Sequence, residues 1–240
     1  MPTLMVSISG IRGIVGDGLD PQTLVDFTSA YAKWIGKGTV VIGRDSRITG
    51  SMVSSITAGT LNALGINVVD IGIVPTPTVQ FAVKTLGAQG GIAISASHNP
   101  NEWNALKLLN ATGQFMSPEE HNEMKKYLGA SPDWKSWDGI GHTSFNADML
   151  RNHKEKALEL PHIDIDLIKS KKFKVVADCV NGAGVYVIPE LLRDLGCECF
   201  RRPAAPPEQM GRRCGALHQH VGLKCLTKPL PSLVAHDLGH

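Results

Sequence analysis

The sequence has 240 residues, which is enough for one large domain or for two smaller ones with separate apolar cores. Its 24 basic and 22 acidic residues give a formal net charge of +2, and this balance gives no reason to expect a nucleic-acid partner. No apolar run approaches the roughly 18 residues that cross a bilayer, and residues 1–5 lack the features of a signal peptide, so we expect a cytoplasmic protein without a membrane partner.

Residues 20–36 predict the first helix. Asp20 suits the N-cap, Pro21 suits the first helical position, and Gly36 can end the helix. One apolar face recurs at helical spacing and consists of Leu24, Phe27, Tyr31 and Ile35. β-Branched runs, apolar spacing and a capping box predict the elements that follow: strands at 39–43, 66–72, 90–95 and 105–110, and helices at 50–64, 76–87 and 117–128.

The alternation of these strands and helices suits β-α-β crossovers, which favour parallel neighbours. It predicts an α/β fold over residues 1–145, with a mixed, mostly parallel sheet and flanking helices. Residues 129–145 are rich in turn-forming and polar residues, so they predict a loop at the end of this domain.

Residues 146–199 predict a linker helix and the start of an incomplete second α/β domain. The helix, at about 146–160, is expected to lead the chain away from the first domain. Residues 173–184 then predict a strand and a glycine turn, and residues 185–196 predict the helix after it.

Residues 200–240 form an atypical tail. They hold five of the 14 prolines and four of the nine histidines, and they lack the apolar period that a second β-α-β unit requires. Two interpretations remain open: a disordered C-terminal segment, or a segment that is not native to the domain because the reading frame has shifted.

The loop after the strand at 90–95 is the clearest candidate site. It carries Ser97, His98 and Asn99, and Lys107 follows it. A hydrolase triad is disfavoured, because adjacent side chains of an extended segment point to opposite sides and no G-x-S-x-G elbow is present. A simple turn at Asn99-Pro100 is one alternative. A phosphate site is the other, since small residues and nearby cations suit a dianion.

Four stretches in order resemble the α-D-phosphohexomutases, the family of phosphoglucomutase, phosphomannomutase and phosphoglucosamine mutase. SASHNPNEWNALK resembles that family's phosphoserine loop. The other three are SGIRGIVGDGLDP at 9–21, VIGRDSR at 41–47, and VVADCVNGAG at 175–184, which resembles the start of the second domain. The sequence of these stretches most resembles that of bacterial proteins called phosphoglucosamine mutase.

The resemblance implies a role for each residue of the loop and its surroundings. Ser97 would carry the phosphoryl group, Lys107 would be the general base or acid, and Arg12 would neutralise the transferring group. His98 would bond the substrate or its phosphate. Asn99 would order the loop, while Arg44 and Arg47 would brace it or bind phosphate, and for these last three bracing and direct contact both remain open. The substrate would be a hexose or hexosamine phosphate, and Mg²⁺ would bind to Ser97 through its phosphate.

The chain also departs from the family pattern. The aspartate-rich loop D-G-D-x-D-R, which holds Mg²⁺ in the family, is absent, and after Asp194 the only aspartate is Asp237. The sugar-recognition and distal phosphate loops are absent as well, and the likeness stops near Cys199. We therefore expect weak metal binding and negligible mutase activity from these 240 residues, which look truncated.

Two other functions remain as alternatives. A non-catalytic sugar-phosphate-binding or regulatory fragment would use the same loop without turnover. An unrelated nucleotide-binding α/β protein is disfavoured, because neither G-x-G-x-x-G after a first strand nor a P-loop lysine motif occurs. The choice among glucose, mannose and glucosamine phosphates and the oligomeric state are left open by the sequence.

Overall fold

A mixed sheet organises the first part of the chain in the computed structural model, which describes residues 3–8, 10–201 and 222–225. Within these residues the order of its strands is β1-β2-β7-β6-β4-β5-β8, and β3 pairs with β2. The strands are β1 Met5–Ser7, β2 Gly10–Val15, β3 Gly18–Leu19, β4 Thr39–Arg44, β5 Asn67–Ile73, β6 Gly90–Ile94, β7 Trp103–Leu109 and β8 Thr143–Phe145. The helices are α1 Pro21–Ile35, α2 Gly50–Ala63, α3 Thr76–Leu86, α4 Pro118–Lys125 and α5 Met149–Leu158.

The pairings confirm a mixed, mostly parallel sheet with flanking helices. Strands β6, β4, β5 and β8 are parallel to their neighbours in that run. Strand β7 is antiparallel to both β6 and β2, and β2 is antiparallel to β1. Because β4, β5 and β6 run the same way, their carboxyl ends meet at one edge of the sheet, where loops can build a site.

The core lies on both faces of the sheet, as the period of two along a strand requires. In β4, Val40 and Ile42 pack on one face with Leu24 and Tyr31 of α1, whereas Val41 packs on the opposite face. The second face is covered by α3 and α5, whose buried apolar residues are Val79, Ala82, Val83 and Met149.

The predicted helix ends are confirmed where capping chemistry was clear. The Asp20 carboxylate accepts a hydrogen bond from Thr23 N at 2.7 Å, and Gly36 follows α1 with a φ of +83°. Ser117 and Glu120 form the expected capping box at the start of α4. The apolar face of α1 is also confirmed, since Leu24, Phe27 and Tyr31 are buried.

Three expectations for the first domain need correction. Strands β1–β3 were not predicted, because glycines interrupt the short apolar runs before residue 20. The predicted loop 129–145 contains β8, a three-residue strand that pairs with β5 at the edge of the sheet. Helix α5 does not simply lead away from the domain, because its first residue, Met149, is buried in the core beside α3.

The second unit begins after α5 and has a small core. It contains α6 Ile165–Ser170, β9 Lys174–Asp178, a 3₁₀ turn at Ala183–Tyr186, α7 Ile188–Asp194, β10 Glu198–Arg201 and β11 Gly222–Cys225. Strand β9 lies between β10, which is parallel to it, and β11, which is antiparallel. The core cluster of this unit consists of Val175, Ala177 and Leu192.

The predicted tail at 200–240 therefore includes one strand, β11, and the end of another, β10, which the aperiodic sequence did not indicate. The rest of that tail prediction lies outside the described residues. Within the described part of the chain, no helix is both long and apolar enough to cross a membrane.

Candidate active site

A cleft of about 310 Å³ opens where the carboxyl ends of β4, β5 and β6 face the second unit. The first unit lines it with Asp45, Val74, Pro75, Thr76, Pro77, Ser95, Ser97 and Lys107. The second unit lines it with Cys179, Val180, Gly182, Ala183, Gly184, Val187 and Ile188. The cleft thus brings together Ser97 and Lys107, two of the residues that the sequence predicted.

Ser97 lies at the turn of its loop in a left-handed backbone conformation, with a φ of +57°. This region costs a non-glycine residue free energy, so surrounding contacts must stabilise it. The Ser97 N–H donates to Ser95 Oγ at 3.2 Å, and its carbonyl oxygen accepts a hydrogen bond from Arg47 at 2.9 Å. The backbone is therefore held on both sides of the residue whose side chain lines the cleft.

Arg47 is the main support of the loop. Its side chain is almost wholly buried, and its guanidinium donates to the carbonyl oxygens of Ser97, Asn99, Pro100 and Trp103. Its Nε donates to the Asp45 carboxylate at 3.1 Å. An arginine side chain has five N–H donors, and these contacts use all five. Of the two predicted roles, the geometry is therefore that of bracing, with no donor left for a phosphate.

Lys107 lies on β7, is half-buried, and lines the cleft. Burial lowers the pKa of Lys107 below that of an ordinary lysine, and the charges of Arg47 and Arg12 act in the same direction against the carboxylate of Asp45. A lowered pKa increases the neutral fraction of the amine, which is the form that can accept a proton.

Arg12 lies on the strand next to that of Lys107. It is the cross-strand partner of Ala105, so it shares a sheet face with Ala105 and Lys107. Its side chain is exposed, and the described residues that line the cleft do not include it. The positive charge of Arg12 nevertheless helps to lower the pKa of Lys107.

The remaining predicted residues lie around the cleft. His98 is exposed, and neither it nor Asn99 is among the described residues that line the cleft. The Asn99 N–H donates to Ala96 O at 3.2 Å, and the Asn99 carbonyl oxygen accepts from Arg47 at 2.8 Å. Arg44 is half-buried and donates to the carbonyl oxygen of Asp45 at 3.2 Å.

The wall from the second unit has a strained turn after β9. Val180 and Asn181 have φ values of +42° and +56°. A β-branched residue is an outlier in this region. The Asp178 carboxylate accepts a hydrogen bond from Val180 N at 2.9 Å, and the carbonyl oxygen of Asn181 accepts one from Ser46 Oγ at 2.7 Å. The Ser46 contact joins the two units directly at the cleft.

The described residues do not fit a magnesium site at this cleft. Among them, no three His, Cys, Asp or Glu side chains lie close enough together to hold a metal ion. Asp45 is the carboxylate that lines the cleft, and both of its oxygens already accept hydrogen bonds from Arg47. Mg²⁺ binds mainly through carboxylate oxygens and phosphates.

Sequence reasoning missed Asp45, Ser95 and the wall from the second unit. Each lies at or just after the carboxyl end of a parallel strand: Asp45 after β4, Ser95 after β6, and Cys179 after β9. Polar or small residues at such positions are typical of ligand sites in α/β folds, so this was the signal available.

Comparisons with known proteins agree with this fold. Residues 4–132 match the family model described as "Phosphoglucomutase/phosphomannomutase, alpha/beta/alpha domain I". A protein of Methanopyrus kandleri called "Probable phosphoglucosamine mutase" is 36% identical over 198 residues, which is 82% of this chain and 43% of that protein. A phosphoglucosamine/phosphogalactosamine mutase of Sulfurisphaera tokodaii is 34% identical over 196 residues, which is 80% of this chain and 42% of the relative.

Among solved structures, one from Thermus thermophilus that is described as a phosphomannomutase superposes with a TM-score of 0.70 at 29% identity. The match covers 84% of this chain and 46% of that structure. The chain therefore spans less than half the length of the relatives that it matches. The two curated relatives are archaeal, so they do not support the expectation that bacterial sequences are most similar. Because the family model matches more than half of the residues, the chain belongs to the phosphoglucomutase/phosphomannomutase family.

Proposed function

We propose that Ser97 is a phosphoryl carrier and that the chain is the phosphoserine-bearing part of a phosphohexomutase. The protein would move phosphate between C1 and C6 of a hexose or hexosamine phosphate through a bisphosphate intermediate. The single observation that supports this most is the shared cleft of Ser97 and Lys107, with the Ser97 backbone held by Arg47.

Proton and phosphoryl transfer would be divided between these two side chains. In the first step, the P–O bond to Ser97 Oγ breaks and a new P–O bond forms to a sugar hydroxyl, whose proton passes to neutral Lys107. The bisphosphate then turns over. The P–O bond to its other sugar oxygen breaks, a P–O bond to Ser97 Oγ forms, and protonated Lys107 returns the proton to the sugar oxygen that is released. The lowered pKa of Lys107 supports this role, because less free energy is needed to present the neutral amine.

The other predicted residues would act through charge and position. Arg12 would neutralise the transferring group, since its charge already acts on Lys107. The exposed His98 would contact the sugar phosphate, and Asn99 and Arg44 would order the loop. Arg47 would hold the loop without touching the phosphate, since its donors are engaged by protein atoms.

An amino-sugar phosphate is the first substrate to test, since two of the curated relatives have phosphoglucosamine in their names. The names of these relatives also favour an enzyme over a non-catalytic sugar-phosphate-binding fragment. A Mg²⁺ ion, which the family resemblance implies, would need carboxylates that the described residues do not bring together. We therefore expect negligible mutase turnover from this chain by itself, and a cytoplasmic location stays a prediction.

Phosphate uptake tests the proposal without requiring turnover. The chain is incubated with glucose 1,6-bisphosphate, with and without Mg²⁺, and its intact mass is measured. We expect an increase of about 80 Da in the wild type and none in Ser97→Ala. Ser95→Ala should reach the same increase at a lower rate, because Ser95 Oγ accepts the hydrogen bond of the Ser97 N–H. Ser95 is the matched control because it is a second serine of the same cleft. An unchanged wild-type mass, or uptake that survives Ser97→Ala, would contradict the proposal.

A further inference from the structure

Helix α5 contacts both units of the chain through two adjacent side chains, His153 and Lys154. His153 faces the first unit: its Nδ1 lies 2.9 Å from Thr78 Oγ1, and its ring stacks on Phe81 with the centroids 4.9 Å apart. Thr78 and Phe81 both belong to α3, and Thr78 is fully buried. Burial lowers the pKa of His153, so the ring stays neutral against its apolar neighbour. The helix is therefore fixed to the first unit at this point.

Lys154 faces the second unit. Its Nζ lies 2.7 Å from the carboxylate of Asp194 and 3.4 Å from that of Glu190, and both carboxylates belong to α7. The Lys154 side chain is only 10% exposed, although its two partners are much more open to solvent. The hydrogen bond that Lys154 donates to Asp194 raises its pKa, so the amine stays charged. Removing this cation would remove the two ion pairs that join α5 to α7.

The two helices that α5 joins are also walls of the cleft. Helix α3 contributes Thr76 and Pro77 from its first turn, and α7 contributes Ile188 and the preceding Val187. The position of α7 relative to α3 therefore sets the width of the space in front of Ser97. The hydrogen bond from Ser46 to Asn181 joins the units at the cleft itself, whereas Lys154 joins them through the far part of α7.

We propose that Lys154 is a positioning residue that holds helix α7 over the Ser97 cleft, with His153 fixing α5 to the first unit. Lys154 is not among the described residues that line the cleft, so we assign its effect to the position of α7, with which it forms its two ion pairs. Its effect on phosphoryl transfer rests on the proposed function, but its effect on the closure of the cleft does not.

Modification of the Cys179 thiol measures that closure directly. Cys179 is buried in the wall that the second unit contributes to the cleft, so a thiol reagent should modify it faster when that wall moves away. We expect Cys179 to react about three- to tenfold faster in Lys154→Met, followed on its own peptide by mass spectrometry. Asp194→Asn should act in the same direction, and Lys154→Arg should restore a rate near that of the wild type.

Lys156→Met is the matched control. Lys156 is on the same helix, but its carboxylate partner at 2.7 Å is Glu159, at the end of that helix, so the pair does not bridge the units. Its removal should leave the Cys179 rate unchanged. Equal Cys179 rates in wild type, Lys154→Met and Asp194→Asn would overturn the proposal.

The same variants separate this inference from the proposed function. We expect Lys154→Met to take up phosphate on Ser97 severalfold more slowly, with a higher half-saturating concentration of bisphosphate, and Lys154→Arg to recover both values. A wild-type chain that takes up no phosphate would contradict the proposed function, and the Cys179 rates would still decide whether Lys154 positions α7.

Discussion

The guanidinium of Arg47 donates a hydrogen bond to the carbonyl oxygen of Ser97 over 2.9 Å, from a side chain that is almost wholly buried. This contact joins the turn after β4 to the loop after β6. The two segments are far apart in sequence, but strands β4 and β6 are neighbours in the sheet. Because every donor of Arg47 is engaged, the loop has its shape before any ligand arrives. A loop held in this way would suit the proposed role of Ser97 as a phosphoryl carrier.

Arg47→Lys should destabilise the protein by about 2–4 kcal/mol, because a lysine keeps the charge but offers fewer donors and cannot span four carbonyl oxygens. Equilibrium unfolding in urea measures the change. Arg151→Lys is the control, since Arg151 pairs with Asp148 at a site that is 59% exposed on the arginine side. The control should change stability by less than about 0.5 kcal/mol. Equal effects of the two substitutions would contradict the bracing role.

Gly10→Ala should be severely destabilising, by more than about 3 kcal/mol. Gly10 has a φ of +114°, and an added Cβ would lie 1.9 Å from the carbonyl oxygen of Leu106 on β7. Gly16→Ala separates backbone strain from steric overlap, because Gly16 has a φ of +88° but open space around the added Cβ. It should cost only about 1–2 kcal/mol, from backbone strain. Thermal unfolding of both variants tests this, and a Gly16 variant as unstable as the Gly10 variant would contradict the steric account.

Tyr31→Phe should cost about 1–2 kcal/mol. The buried Tyr31 hydroxyl donates to Leu109 O at 2.6 Å and lies 3.2 Å from Gly91 O, so its loss leaves carbonyl oxygens of β6 and β7 without this partner. Burial raises the pKa of Tyr31, so the hydroxyl keeps its proton. Tyr127→Phe, at a half-buried tyrosine, should change the free energy of unfolding by less than about 0.5 kcal/mol. An unchanged free energy of unfolding in Tyr31→Phe would show that the hydroxyl contributes nothing to stability.

Acid should destabilise the protein in part through His121 on α4. Burial lowers the pKa of His121, and the charge of Lys125 acts in the same direction. The unfolded chain therefore binds the proton at a higher pH than the folded protein. The contribution to stability is complete above the ordinary histidine pKa of about 6.5 and is lost as the pH falls toward the lower folded pKa.

Urea unfolding at several pH values between 7 and 5 tests this sign. His121→Gln should lose less stability across that range than the wild type. His162→Gln is the control at an exposed histidine and should follow the wild-type curve. A steeper pH dependence in His121→Gln would contradict the assignment.

The regular part of the fold could be predicted from the sequence because its signals are local. Asp20 and Gly36 bound α1, and the apolar run around Val41 predicted β4. Strand β8 could not be predicted, because its three exposed residues carry no period and depend on pairing with β5. Strand β11 also depends on pairing, in its case with β9.

The site was predictable only in part for a similar reason. The loop motif pointed to Ser97 and Lys107, which do line one cleft. The bracing geometry of Arg47 depends on carbonyl oxygens that lie 50 or more residues away in sequence. The hydrogen bonds of Asp45 to Arg47 are local, but its place in the cleft depends on which strand ends meet.

Fragmentation mass spectrometry of the peptide around the loop tests whether Ser97 carries the phosphoryl group. After incubation with glucose 1,6-bisphosphate, fragment ions distinguish phosphate on Ser97 from phosphate on Ser95, two residues earlier in the same cleft. We expect phosphate on Ser97, none on Ser95, and slower uptake in Lys107→Met, in which the candidate base is absent. Phosphate on Ser95 or on neither serine would contradict it.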